Sequence, residues 1–491
     1  MKFLHRKENI NIQELLDSFD HLTDVLVKKN LFAEKVPHPF TLVFCKGLID
    51  SELLEKTLLP FLNEIVEKDD DTIRSTLNNR FVVHEINIDS ENKMKIEHSL
   101  FSGHVLLLAE KNKTLYAIYL SKMPSRTPEE SNTEISIRGA RDGFIEDLEI
   151  NFALIRKRLK TSSLNSKSFT IGRRSQTAVS LLFIDDIIDP DLVKRVEKRL
   201  KNIDVDAIIS SSELEEALSD SVFSIFPLLD NTGRPDFAVQ SLLQGRFVLI
   251  VDGSPTVLIG PASLAITLKS PEDAHANFYM VSFERFLRFT GLFTTVSLPG
   301  LWVALTTFHP DQLPYPLLAT LTLSRTGLPL SLPLEMMIMV VLFELFKEAG
   351  ARLPRAVGQT VAVLGGLIVG DAAIRAGLTS PTTLVVVAIT MIASYTFVNQ
   401  SLSGNLLFLR IYTLLMCAMF GLFGFFISML SIFLLVSSLR SFDYPYIESL
   451  ASMNAADTFK SFFKAPFPFM KKRSSYLHSN DSTRQGDNNE S

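Results

Sequence analysis

The sequence predicts an α/β soluble N-terminal region of two duplicated subdomains, followed by an α-helical transmembrane C-terminal domain. Three observations carry this. Apolar residues form long runs from Phe289 to Leu439, whereas the first 280 residues read as an ordinary soluble chain. A strand-then-helix pattern near Thr41 returns 139 residues later. Finally, Val357–Ala376 is apolar and carries Gly358, Gly365, Gly366 and Gly370. Its twenty residues cover roughly the 30 Å hydrocarbon core at about 1.5 Å each.

Composition narrows the function classes. The formal net charge is −5 over 491 residues, so nucleic-acid binding has no electrostatic support. That length allows two to four domains. The N-terminus, MKFLHRKENINIQELLDSFD, lacks an apolar h-region and is not a secretory signal. Cys45 and Cys417 lie in apolar runs and read as small buried hydrophobes, so no disulfide framework or zinc site is encoded. No GxxxxGK[ST], HExxH, GxSxG or CxxC pattern occurs, and the histidines lack metal-ligand spacing. The expectation is a non-enzyme without cofactor or metal.

The elements follow in order. Ile12, Leu15, Leu16, Phe19, Leu22 and Leu26 recur at helical spacing and predict an amphipathic helix within residues 1–35. Residues 36–125 form the first subdomain, with strand Thr41–Asp50, a helix start at SELLEK, and two strands over His98–Leu120 joined at Lys111–Lys113. In the connector, 126–169, a helix over Glu134–Lys160 aligns Phe144, Leu148, Phe152 and Ile155, with the turn Arg138-Gly139 before it. The second subdomain spans 170–280. Ser180–Asp189 followed by PDLVKRVEKRL repeats the first unit, and Gln240–Ala262 repeats the later one at an offset of 142, matching Ser99 to Ser241 and Gly103 to Gly245. Its Asp252–Pro255 turn, between two strands, is a hairpin turn and not a phosphate loop. Arg138, Gly139, Arg234 and Asp236 are candidate subdomain-interface residues. Two readings compete there: an anion or partner site at a helix start, or ordinary capped turns.

The membrane sector spans 285–440 with about five crossings: Phe289–Phe308, Leu328–Phe346, Val357–Ala376, Pro381–Val398, and one or two within Leu406–Leu439. Leu313–Ser324 is short and proline-flanked, a re-entrant or interfacial piece. Arg285, Arg288, Lys347, Arg352 and Arg355 favour a cytoplasmic location for their segments, as do the tail residues Lys464, Lys471, Lys472 and Arg473. Five crossings would put that tail outside, so either the count is even or the rule is broken. The tail, 441–491, is basic and then polar, and from Ser474 it reads as disordered. Charges inside spans are costly and mark function by default. Glu344 can pair with Lys347, Glu348 with Arg352 and Asp371 with Arg375. Glu335 has no basic residue within four positions. Glu335 and Glu344 are therefore the candidate intramembrane charges.

Three stretches, IRGARDGFIEDLEINFALIRKRL, GRPDFAVQSLLQGRFVLIVDGSP and FELFKEAGARLPRAVGQTVAVLGGLIVGDAAIRAGLTSP, occur in that order. Together they resemble the A subunit of the GerA-type spore germination receptors, from about Thr41 into Phe442–Pro445. Departures are Ala140-Arg141 where the family often has Pro and a charge, Asp371 for a common Gln, and Lys347 for Arg. The resemblance implies a subunit in the inner membrane of the spore, assembled with a transporter-like B subunit and a lipoprotein C subunit. It also implies oligomerisation into a nutrient-gated channel for monovalent cations. A sporulation-operon paralogue linked to dipicolinic acid release, or a non-conducting scaffold, are the alternatives. On the channel reading the pore helix presents Gln359, Thr360 and Gly366 as small or polar lining. Val363, Leu364 and Val369 then act as a hydrophobic gate, with Gly370 a further lining or gate candidate and Asp371 either paired with Arg375 or an acid at the mouth. A GxxxG spacing at Gly366–Gly370 also fits close helix packing.

Overall fold

The computed structural model describes residues 19, 22–31, 40–65, 76–77, 79–88, 92–109, 114–122, 134, 138–221, 223–352, 369–447, 458–459 and 462–484. The chain falls into two compact units. One comprises residues 1–220, 229–261 and 470–491, the other 221–228 and 262–469.

In the first unit, strands β1 (Val25–Leu31) and β2 (Phe40–Cys45) precede helix α1 (51–65). Then come β3 (Val83–Asn87), α2 (Lys93–Leu100), β4 (His104–Ala109) and β5 (Thr114–Tyr119). They build a five-stranded sheet of order β1-β2-β4-β5-β3. Both faces of this sheet are covered. Leu42 and Phe44 pack with Leu54 and Leu58 of α1, whereas Val43 and Cys45 pack with Ile96 and Leu100 of α2. Burial on both sides is why the β2 sequence is a continuous apolar run and does not alternate.

After helix α3 (Leu148–Arg156), the pattern recurs as β6 (Leu164–Ile171), β7 (Thr177–Ile184), α4 (Pro190–Asn202), an added helix α5 (Ser211–Leu218), β8 (Asp230–Thr232), α6 (Pro235–Leu242), β9 (Phe247–Val251) and β10 (Val257–Gly260). The second sheet has order β6-β7-β9-β10-β8, the same topology as the first. The register agrees residue by residue. Leu42 pairs with Leu107 and Leu181 with Leu249, offsets of 139 and 142, and every other β2–β4 pair maps onto a β7–β9 pair by the same two offsets. The duplication is thus present in the hydrogen-bond ladders.

Four expectations change. Residues 25–31 form a strand, not the end of an amphipathic helix. Leu26 faces the α1 side of the sheet and Val25 and Val27 the α2 side, a period of two; Ile12, Leu15 and Leu16 lie outside the described residues. The repeats accordingly begin at Val25 and Leu164, earlier than 36 and 170. Residues 98–100 end helix α2, so the hairpin starts at His104, and its turn at 111–113 lies outside the described residues. The connector helix starts only at Leu148, because the Asp147 side chain accepts the Ile150 N–H as N-cap. Phe144 precedes it, donating its N–H to the Gly233 carbonyl at 2.8 Å.

The tail is also folded beyond Ser474. Tyr476 and Leu477 are buried, Lys472 bridges to Thr483, and the Asn480 N–H donates to the Ile187 carbonyl at 3.0 Å. Two apolar side chains in a polar stretch suffice to dock it on the second repeat.

The second unit is helical. It holds α7 (Phe278–Phe308), α8 (Tyr315–Arg325), α9 (Leu332–Arg352), α10 (Gly370–Arg375), α11 (Pro381–Ser394) and α12 (Gln400–Ser438). By length and composition, Phe278–Phe308 and Ser401–Ser438 are able to cross a membrane. The latter does not run straight. At Gly421 the backbone takes φ 61 and ψ −138, a conformation that favours glycine. Across this bend the Tyr412 hydroxyl lies 2.8 Å from the Ser431 hydroxyl. In a continuous helix residues 19 apart would be about 28 Å distant. α12 is therefore a hairpin of two antiparallel arms.

Candidate functional site

Helix directions follow from close approaches. Gly300 of α7 abuts Thr413 and Cys417, and Gly421 abuts Phe308, so α7 and the first arm of α12 run in parallel. The second arm returns to the end where α7 starts. There the Ala262 N–H donates to the Ser441 hydroxyl at 3.0 Å and the Leu264 N–H to the Tyr446 carbonyl at 3.1 Å. At the same end Asp273 receives Arg285 at 2.8 Å and Arg288 at 3.0 Å, and Lys464 donates to the Ala276 carbonyl at 3.0 Å.

Glu335 does not stand alone. It sits in the first turn of α9, fully buried, and its carboxylate accepts four bonds: from Arg325 Nη1 at 3.1 Å, Thr379 Oγ1 at 3.0 Å, Ser380 N at 2.7 Å and Ser380 Oγ at 2.9 Å. Arg325 is ten residues back, across the Gly327 turn, well outside the three- and four-residue spacings of one helix. The acid fastens the end of α8 and the loop before α11 to α9. Its geometry is that of an anchor.

Glu344 pairs with Lys347 at 2.9 Å and lies 3.6 Å from Arg410 Nη1. Arg410, a charge hidden in the apolar 406–439 run, is fully buried. Its Nε donates to the Thr295 carbonyl at 3.2 Å and its Nη1 to Met391 Sδ at 3.4 Å. One guanidinium thus touches α7, α9 and α11 from its place on α12. Glu348 pairs with Arg352 at 2.6 Å. Asp371 pairs with Arg375 at 2.8 Å, and both are more than half exposed.

Gln359, Thr360, Val363, Leu364 and Gly366 lie outside the described residues. Val369 is half-buried at the head of α10. Gly370 is buried, and a Cβ there would stand 3.2 Å from Leu384, so its small size serves packing against α11.

In the first unit, Arg234 is buried and holds Asp236 through Nε at 3.1 Å and Nη2 at 2.6 Å, a clamp within one turn. Arg138 is exposed and Gly139 half-buried; both lie in the segment whose Glu134 accepts from Thr232 Oγ1 at 2.8 Å and from the Gly233 N–H at 3.2 Å. Burial pushes the Glu134 carboxyl up from its ordinary range, against the pull of those donors. The bonds that tie the connector to the second repeat here are those of Glu134, while Arg234 and Asp236 pair with each other within their own turn.

The principal link between repeats escaped the sequence. Arg156 at the end of α3 is fully buried. It donates Nε to Asp24 at 2.9 Å, Nη2 to Asp24 at 3.1 Å and to the Leu164 carbonyl at 3.0 Å, and Nη1 to the Thr161 carbonyl at 2.8 Å. Its guanidinium also lies 4.3 Å from the Phe101 ring centroid. Asp24 precedes β1 and Leu164 opens β6, so this arginine joins the two repeats at their starts. The two partners are 132 residues apart in the chain, and no local signal marks them.

Comparison with known proteins covers both units. A family model described as Bacillus/Clostridium GerA spore germination protein matches residues 13–476. The chain is 42% identical to spore germination protein XA of Bacillus anthracis, over 99% of each chain. It is 30% identical to spore germination protein KA of Bacillus subtilis (strain 168), over 97% of this chain and 88% of that one. Among solved structures, the N-terminal domain of the A subunit of the Bacillus megaterium spore germinant receptor GerK3 aligns over 53% of this chain and 98% of that one. Identity there is 26% and the TM-score 0.40.

Proposed function

The chain belongs to the GerA family of spore germination proteins, and from that premise we propose that it is the A subunit of a germinant receptor whose membrane bundle oligomerises into a nutrient-gated path for monovalent cations. The observation that carries this reading is the extent of the match. It includes the duplicated head, the bundle and the tail, so the relatives share the whole architecture and not the head alone.

The bundle geometry supports a membrane channel subunit with six crossings. α7 leads away from the first end, and α9 returns, since its start at Glu335 lies with Ser380 and its later turn, at Lys347, lies 3.5 Å from Ser403. From the Lys347 end of α9 the chain has to reach Ser380 beside Glu335 at the other end; α11 then returns, its Ser394 carbonyl meeting Ser403, and the two arms of α12 make the last pair. Arg285, Arg288, Lys347, Arg352 and Lys464 then collect at one end, which the positive-inside rule makes cytoplasmic. Head and tail share that side. An even count removes the conflict that five crossings created. Outward-facing Phe423, Phe426, Leu430 and Phe433 on the last arm offer an apolar surface to lipid or to a neighbouring subunit.

On this reading the partners are further copies of the chain, a transporter-like B subunit and a lipoprotein C subunit, in the inner membrane of the spore. The test is flux. The full chain, alone and with B and C subunits, is reconstituted in liposomes under a potassium gradient. Nutrient-dependent cation release is expected. Oligomers that release no cation under any of these conditions would sink the channel and leave the scaffold.

A further inference from the structure

A cavity of about 320 Å³ lies inside the helical unit, between the middle of α7 and the two arms of α12. Phe289, Phe293 and Val296 line it from α7, Leu409 from the first arm, and Ile432 and Phe433 from the second. No polar side chain among the described residues lines it. A cavity of about 150 Å³ walled by such side chains stays dry and takes benzene, so this one has room for about twelve carbons. Phe293 and Phe433 are both exposed, which puts the mouth on the outer surface of the bundle.

Its depth follows from α7. The helix has 31 residues, a length of about 46 Å against a hydrocarbon core of about 30 Å. The excess lies at its start, where Arg285 and Arg288 pair with Asp273 and Glu284. On the membrane reading above, residues 278–288 stand at headgroup level and the cavity begins just below them, at Phe289. A second stretch is pinned to the same level. The Lys464 N–H donates to the Ser282 hydroxyl at 3.1 Å, and the Phe462 ring centroid lies 4.5 Å from that of Phe289. From Thr458 to Arg473 the chain carries Lys460, Lys464, Lys471, Lys472 and Arg473 and no acid. Lys464 is taken up by backbone carbonyls and Arg473 by Asp481, whereas Lys471 and Lys472 are exposed directly after Phe469. Exposed aromatic rings flank these charges: Phe459, Phe463 and Phe469 on the run, and Tyr279, Phe283 and Phe286 at helical spacing on α7. Amphipathic aromatic belts mark the membrane interface, and a run of bases beside it attracts anionic headgroups.

We propose that this end of the bundle binds an anionic phospholipid, with one acyl chain in the cavity and the headgroup phosphate against the basic run. Moving the chain from bilayer to cavity gains nothing from the hydrophobic effect, since lipid tails are as apolar as the lining. What holds it is the void it fills, whose walls regain their contacts, and the charge of the headgroup. Selection therefore falls on headgroup charge far more than on the chemistry of the chains. The proposal rests on the bundle crossing a membrane, as read above, and not on conduction.

The test uses the purified full chain in a non-ionic detergent, titrated with dioleoyl phosphatidylglycerol and read by native mass spectrometry and thermal unfolding. Dioleoyl phosphatidylcholine supplies the same chains without net charge, and glycerol 3-phosphate supplies the phosphate without chains. One phosphatidylglycerol per chain is expected, bound about tenfold or more tighter than phosphatidylcholine, with no binding of glycerol 3-phosphate. Lys471→Gln with Lys472→Gln should remove most of that preference. Val296→Phe and, separately, Ile432→Phe fill the cavity. Each should abolish uptake while the unfolding midpoint of the lipid-free protein holds or rises, which separates a blocked site from a lost fold. Phosphatidylcholine bound as tightly as phosphatidylglycerol would overturn the role of the headgroup. Glycerol 3-phosphate bound as well as the lipid would make this a soluble-anion site, and uptake unchanged in both filled variants would put the lipid elsewhere. Release of the lipid whenever the chain oligomerises would place a second copy on this face and sink the proposal. Flux plays no part in these readouts, so lipid bound without flux counts against the channel alone, and flux without lipid preference against this site alone.

Discussion

Replacing Glu335 tests whether a buried membrane acid is an anchor or part of a cation path. Glu335→Ala removes an acceptor for four donors and leaves Arg325 without its counter-charge. Breaking a buried pair from one side costs about 3–5 kcal/mol. Arg325 is 26% exposed, which lets water take up part of its charge, so the lower figure applies. A loss of about 3 kcal/mol corresponds to a fall of about 6–12 °C in unfolding midpoint for a unit of about 200 residues. Glu335→Gln keeps one carbonyl acceptor and the side-chain volume, and should lose roughly half as much. Adding Arg325→Met to Glu335→Gln removes the stranded charge and should restore part of the loss. The assay is thermal unfolding of the purified full chain in detergent, beside cation selectivity in liposomes. A midpoint for Glu335→Ala within about 1 °C of the parent would refute the anchor. So would Glu335→Gln with full stability and altered selectivity.

Four further outcomes follow from the same geometry. Arg156→Met should destabilise the head by about 3–5 kcal/mol, since it strands the buried Asp24 carboxylate, whereas Asp24→Asn together with Arg156→Met should recover part of that; denaturant unfolding reads both. Burial, reinforced by the Glu216 carboxylate, pushes the Glu215 carboxyl up to about 7. A raised acid holds its proton more tightly when folded, so its contribution is present below the ordinary value near 4.5 and lost as pH rises through about 7. Glu215→Gln should flatten that part of the head's stability–pH curve. Gly421→Ala puts a Cβ 3.0 Å from Phe308 in a conformation that L-residues avoid, and should cost about 1–3 kcal/mol with loosening of the α12 hairpin in hydrogen exchange. Single cysteines placed at Ser210, Asp311 and Ser479 should label from the cytoplasmic side, the opposite side and the cytoplasmic side respectively. Ser210 and Ser479 labelling from different sides would refute six crossings.

The duplication was legible because both repeats bury both faces of their sheets, so the strands read as apolar runs at constant spacing. β1 was missed because its three-residue alternation, Val25 to Val27, also fits the edge of a helical pattern begun at Ile12. The local ion pairs of the bundle were legible, and the longer-range ones were not. Lys347 and Arg375 fall at helical spacing from their acids, whereas Arg325 reaches Glu335 across a turn and Arg410 reaches Glu344 from another helix. Asp24 and Arg156 meet only once two repeats are assembled. The bend in α12 had a weak signal in Gly421 within a run too long for one crossing. Docking of the tail rests on Tyr476 and Leu477, two residues that composition averages away.

The pairing of these acids bears on how cations could cross. Among the described residues of the bundle, Glu335 is held by four donors, Glu344 by Lys347 beside Arg410, Glu348 by Arg352, and Asp371 by Arg375. None is left as the bare carboxylate of a cation-selective ring. A path in this protein would then have to coordinate cations with neutral groups, and neutral lining is sufficient in principle, since carbonyl oxygens and hydroxyls replace hydration while apolar constrictions gate by wetting. On the channel proposal the sequence candidate for such groups is 357–370, which contains Gln359, Thr360 and four glycines. On this view Asp371 belongs to an exposed ion pair at the end of the segment, worth a few tenths of a kcal/mol, and exchanging it with Arg375 should leave both stability and selectivity where they were. A change in selectivity on that exchange, with unfolding unchanged, would return the acid to the path and overturn the neutral lining.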